Sequence, residues 1–218
     1  MHELFDPVLA DLPERQRDEV LAAFAALEHS AEPVPEAQLP ALRDVTLRRQ
    51  VQDLLHRVGR TLVPAGRQLW TSGYRDEVAA ALTADGWNGL PVTERAVLVL
   101  ILIHSVAIPR TEGNLSDDSW VSARPTPLTE LQDASQIPRG RLRPALRRLR
   151  EAGLVQVIAG RDGLSTSYVP GPQFHRLTPA ARTRLQEELI LAAGPDTPLA
   201  AAIRARRSWE PTVPGGQR

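Results

Sequence analysis

The chain has no cysteine and no lysine; all 26 of its Lys-plus-Arg positions are arginine. The first absence excludes disulfide staples, thiolate nucleophiles and cysteine-ligated zinc or iron-sulfur sites. The second is what GC-rich coding gives an Ala-, Arg- and Pro-rich chain, and it makes every strong cation a guanidinium, the group that grips phosphate in two-pronged fashion. Histidine is sparse: His2, His29, His56, His104 and His175 are scattered without ligand spacing, so neither a metal site nor a histidine base is expected. No run reaches the roughly 18 consecutive apolar residues of a membrane span, and MHELFDPV lacks a basic region followed by an apolar one. The expectation is a cytoplasmic, nucleoid-associated protein without a membrane partner or a cofactor.

The 218 residues, 42% apolar and 24% charged, suffice for one large core or two small ones. Formal net charge is +0, but it is unevenly placed. Residues 1–90 hold nine arginines against fourteen acids, and residues 91–218 hold seventeen against twelve. An anionic partner is therefore expected on the second half.

Periodicity and breakers predict mainly α structure with small β-hairpins, an α+β class. A helix should start at Asp11-Leu12-Pro13-Glu14, with Asp11 as cap, and run to Leu27. Ser30 to Pro40 reads as a loop and Leu42 to Val58 as a helix stopped by Gly59. Two short strands around Pro64-Ala65-Gly66 follow, then a helix over Arg75 to Thr83 and a boundary at Asp85 to Gly89. Thr93 to Pro109 reads as a buried central helix capped by Thr93, and Arg110 to Pro127 as a long loop. Next come a short helix, Thr129 to Ser135, and a longer one, Gly140 to Ala152, ended by Gly153. Strands Leu154 to Ile158 and Leu164 to Val169 surround Gly160 to Gly163, and a helix over Pro179 to Leu191 is capped by Thr178. Three segments result: 1–90, 91–193, and a partly disordered tail, 194–218, with a short helix over Leu199 to Arg207.

At 100° per residue, Leu142, Leu146, Leu149 and Gly153 lie within about 40° of Leu142. Arg141, Arg143, Arg147 and Arg148 fall between about 100° and 260°, with Arg150 on the flank. Residues 139–150 hold six arginines and no acid. Such a face would suit phosphates and guanine edges in a major groove, and Arg161, at the hairpin tip, an adjacent minor groove. A solvated arginine face is the bland alternative. Pro144 inside the helix argues for a late start or a kink.

The stretch LTELQDASQIPRGRLRPALRRLREAGLVQV, with Leu131, Ile137, Leu142, Leu146, Leu149 and Leu154 at core spacing, resembles winged helix-turn-helix regulators of the multiple-antibiotic-resistance type. RLTPAARTRLQEEL, from Arg176, resembles their strand-to-helix exit. The resemblance spans residues 91–190 and implies a non-catalytic, homodimeric transcriptional regulator that binds double-stranded DNA through Arg139, Arg141, Arg143, Arg147, Arg148 and Arg161.

Shifting the chain by 94 positions sets LHRVGRTLVPAGRQLWTSGY (55–74) over LREAGLVQVIAGRDGLSTSY (149–168), with seven identities including Gly59 with Gly153 and Tyr74 with Tyr168. This points to two winged helices in tandem, the first without the arginine face, since Asp53, Leu54 and His56 stand opposite Arg147, Arg148 and Arg150. Tandem winged helices in a near-neutral chain look like kite-type accessory subunits of condensin-like SMC complexes, which implies a kleisin or SMC-type partner in chromosome maintenance or plasmid and phage exclusion. Asp117-Asp118 and Glu187-Glu188 have no partnering base and read as solvated charge, so no enzyme is expected. Trp120 and His104 read either as packed core or as the wall of a ligand pocket.

Overall fold

The computed structural model describes residues 2–86, 89–116, 119–120, 124–159, 166–193 and 195–209. The chain is a mixed α and β structure in which one order of elements occurs twice. The first half runs α1 (His2–Leu9), α2 (Glu14–His29), β1 (Val34–Pro35), α3 (Pro40–Arg43), α4 (Val45–Arg57), β2 (Arg60–Pro64), β3 (Leu69–Tyr74) and α5 (Asp76–Ala84). The second runs α6 (Val92–Leu102), α7 (Ile108–Thr111), β4 (Thr126–Pro127), α8 (Leu128–Ala134), α9 (Arg139–Glu151), β5 (Val155–Ala159), β6 (Thr166–Pro170), α10 (Pro179–Ala193) and α11 (Pro198–Trp209). Each half builds a three-stranded antiparallel sheet in which the last strand lies between the other two, β1-β3-β2 and β4-β6-β5.

The cores follow the helical stripes. Val20, Ala23 and Leu27 of α2 meet Leu47, Val51, Leu54 and Leu55 of α4, with Leu42 and Val34 closing the first core. In the second half, Val97 and Ile101 of α6 meet Leu131, Leu142, Ala145, Leu146, Leu149, Val155 and Tyr168. Of the apolar residues predicted for this core, Ile137 and Leu154 are only partly buried. A third cluster joins Leu102, Val106, Trp120, Phe174 and Leu189.

Several sequence expectations are corrected. Neither Asp11 nor Thr93 caps its helix; Pro13 and Pro91 occupy the N-cap positions, with no side-chain cap. The segment read as a loop, Ser30 to Pro40, contains β1 and a 3₁₀ turn, because a two-residue strand has too few positions to show a period. The next helix is two: α3 stops at Arg43, and the Asp44 carboxylate caps α4 by accepting from the Thr46 and Leu47 amides, at 2.7 and 3.0 Å. The apolar run is helical from Val92 to Thr111, with an 18-residue stretch of mean hydropathy 1.7, long and apolar enough by length and composition to cross a membrane, and it buries Val97, Ile101, Leu102 and Val106 in the core. Ile103–Ala107 forms a π turn within it, and Pro109, which has no N–H to donate to the turn before, stands just after that turn. Thr178 caps α10 as expected, its hydroxyl accepting from the Ala181 amide at 3.1 Å. The tail forms α11, which Arg206 and Arg207 tie to Glu187 of α10. Positions 87 and 88 of the expected boundary lie outside the described residues.

The 94-residue shift is sound where it was anchored on the helix end. It carries α4 onto α9 end for end, and Gly59 and Gly153 both take left-handed φ, +74° and +68°, as the residue after a helix commonly does. It fails in the hairpin: Tyr74 pairs with Arg60, the first residue of β2, whereas Tyr168 pairs with Val157 in the middle of β5. The two tyrosines are not equivalent.

The halves are held together by the 3₁₀ turn Pro172–Arg176 after β6. Arg176 Nη1 donates to Ser72 Oγ, Ser72 O and Leu27 O at 2.8, 3.1 and 3.4 Å, and Nη2 to Ser30 O and Glu28 O at 2.6 and 3.5 Å. One guanidinium thus serves carbonyls at the end of α2 and on β3, where a cation also complements the helix dipole. Burial lowers its pKa, as does Arg60, while Glu28 opposes them. The backbone comes equally close: a Cβ at residue 73 would lie 2.0 Å from the Arg176 carbonyl oxygen, so only glycine fits there. Thr178 and Arg184 both donate to Asp76 Oδ1, at 2.7 and 2.9 Å, and Arg182 donates to Pro64 O at 3.0 Å. Because each half has its own core, Arg176→Ala should lower stability by about 3 kcal/mol and split one calorimetric transition into two. An unchanged single transition would show that the clamp does not couple the halves.

Candidate nucleic-acid interface

Helix α9 exists because its leucines have somewhere to go. Leu142, Ala145, Leu146 and Leu149 are buried against α6, and this places Arg139, Arg141, Arg143, Arg147, Arg148 and Arg150 on the exposed side. The four arginines expected on the exposed face, Arg150 on its flank and Arg139 are all exposed on the surface of one helix. Pro144 neither delays nor ends α9: the helix runs from Arg139 to Glu151. The donor it lacks would have served the Gly140 carbonyl in the first turn, and burial of four apolar side chains outweighs the local penalty.

The six differ in their surroundings. Among the described residues, Arg139, Arg141, Arg143 and Arg150 have no hydrogen-bond or ion-pair partner. Arg147 has only a loose contact, Nε to Glu151 Oε1 at 3.8 Å, with both side chains well exposed. Arg148 is different. Its Nη1 donates to Oε1 of Glu94, a carboxylate in the first turn of α6 whose side chain is 4% exposed. Beneath α9, burial raises the Tyr168 pKa, and Arg150 and Arg143 oppose the shift, so positive potential reaches the sheet. Arg161 lies outside the described residues.

Sequence reasoning did not single out Glu94. The available signal was an acid at the third position of an otherwise apolar helix, which reads equally well as a first-turn carboxylate favoured by the dipole.

The face of α4 that corresponds to the arginine face of α9 is partly covered: Leu47 and Leu54 are buried and Asp53 is half-buried, while Val45, Arg49 and His56 stay exposed. Helix α1 packs against α4, and its Pro7 and Val8 share a shallow cleft with Gln50, Asp53, His56 and Arg57. The alternative sites are also accounted for. Trp120 is buried, its ring 5.1 Å from that of Phe174 and 4.9 Å from the Arg110 guanidinium, and His104 Nδ1 lies 2.8 Å from Glu130 Oε1. Trp120 is thus packed core, while His104 and Glu130 form a partly exposed pair. Glu187 is not solvated charge: it is buried and hydrogen-bonded by Arg206 and Arg207, which hold its pKa below the usual carboxylate value against the effect of burial. Asp117 and Asp118 lie outside the described residues. Among those described, no group of three metal-ligating side chains is gathered.

No protein-family model and no curated protein matches the chain. Among solved structures, the crystal structure of a conserved hypothetical protein from Chlorobium tepidum aligns with 75% of this chain and 96% of its own, at 16% identity and a TM-score of 0.29. A likeness at that score carries no argument.

Since the Pro144 ring costs α9 one backbone hydrogen bond, Pro144→Ala should raise thermal stability by roughly 1 kcal/mol. Calorimetry checks this, and a fall in stability would mean that the ring's packing matters more than the missing donor.

Proposed function

We propose that the chain is a non-catalytic DNA-binding protein made of two winged helices in tandem, most simply a transcriptional regulator, with α9 as its reading helix. The observation that carries this is the surface of α9. Five exposed arginines, Arg139, Arg141, Arg143, Arg147 and Arg150, have at most one loose acid contact among the described residues. A stabilising surface network would pair them with carboxylates; an unpaired guanidinium row suits phosphates and guanine edges. The order helix, strand, helix, helix, strand, strand supports the winged-helix reading of each half, and α1 over α4 supports a single reading helix per chain. A homodimer would then bring two such helices to two half-sites.

The test is fluorescence anisotropy with a short labelled duplex over a range of salt. Arg143→Ala with Arg147→Ala should weaken binding at least about tenfold and reduce the salt slope by about two, one for each lost phosphate contact. Unchanged affinity and slope would reject the reading.

A second reading has its own observation. The two halves are joined through Arg176 and Gly73, and α1 packs on part of the first unit's α4, features that suit an adaptor as well as a regulator. Such a protein would be a kite-type subunit holding a kleisin or SMC-type partner, with DNA contact secondary. Native purification should then yield it with a large ATPase; a free dimer would count against it.

A further inference from the structure

Position 148 is not equivalent to its arginine neighbours. In the first half the corresponding residue of α4 is Leu54, fully buried in the core. In α9 the Arg148 side chain is 60% exposed, yet its guanidinium reaches back to the first turn of α6. In the second half it meets Glu94, whose carboxylate sits in an otherwise apolar contact between α6 and α9. A carboxylate so placed is tolerable only with its charge compensated, and Arg148 is its ion-pair partner among the described residues.

We infer that Arg148 is a positioning residue: the Glu94–Arg148 pair docks the reading helix on α6 and withholds this cation from the nucleic acid that the other α9 arginines bind. The inference rests on the proposed DNA-binding role of α9. Its chemical logic is competition for one guanidinium. A phosphate approaching Arg148 would have to take it from a buried carboxylate left without a counter-charge, whereas Arg139, Arg141 and Arg143 give up only water. The reading face would then carry one cation fewer than the sequence counts, and the missing one would hold the helix in place.

The salt dependence of duplex binding separates the two roles, because it counts phosphate contacts and does not respond to a purely structural loss. Five full-length variants, Arg143→Ala, Arg148→Ala, Arg148→Lys, Glu94→Gln and the double variant Glu94→Gln/Arg148→Gln, are titrated against the same labelled duplex, with melting temperatures measured alongside. Arg143→Ala should lower the slope by about one. Arg148→Ala should leave the slope at the wild-type value while lowering the melting temperature, and Arg148→Lys should recover part of that loss without moving the slope. Glu94→Gln frees Arg148 and should raise the slope by about one. Should Arg148→Ala fail to fold, the double variant, which removes both charges together, should still give the wild-type slope. A slope lowered by about one in Arg148→Ala or in the double variant would overturn the inference while leaving the DNA reading intact. Absence of duplex binding by the wild-type protein would remove the DNA reading and this inference with it.

Discussion

The docking of the two halves centres on one guanidinium, around which the contacts of Thr178 and Arg184 with Asp76 and of Arg182 with Pro64 are arranged. Arg176 reaches from the turn after β6 into the end of α2 and the edge of Ser72, and no other side chain among those described engages so many backbone carbonyls of the opposite half. An ammonium could not substitute, because it lacks the flat fork that lets two nitrogens serve carbonyls on different elements. The contact also serves the end of α2. Its last carbonyls are satisfied from outside the helix, so Ser30 can turn into extended backbone without leaving them bare.

With the halves fixed, their differences acquire meaning. They share an element order and a sheet order but not a surface: α4 is partly covered by α1 and carries mixed charge, while α9 carries a row of exposed arginines. The net charge of zero conceals this division. On the proposed reading the first unit is a scaffold and the second the instrument, and the buried Glu94 is the point where the instrument is fastened to its own unit.

Much of this was legible from residue order. Leu142, Leu146 and Leu149 placed the arginines outward before any coordinates, and Gly59 and Gly153 marked equivalent helix ends. What the sequence concealed has physical causes. Strands of two residues, such as Val34–Pro35 and Thr126–Pro127, have no periodicity to detect. Asp44 divided a helix because its carboxylate caps in a pattern that apolar spacing ignores. The Tyr74–Tyr168 match misled because hairpins of different length slide past any gapless comparison. Glu94 and Arg148 stand 54 positions apart, and the ion pair between them is a tertiary fact with no local trace. The same holds for Glu187, whose partners Arg206 and Arg207 stand 19 and 20 positions away, at the end of the helix expected in the tail.

Gly73 has a further use. A side chain at that position would meet the backbone of residue 176 at a distance no carbon can occupy, so this docking of the halves leaves a one-letter mark in the sequence. In any relative collected later, glycine at the equivalent position would permit the same arrangement. A larger residue there would signal that the two units have moved apart or turned, and that geometry should not be transferred between the chains.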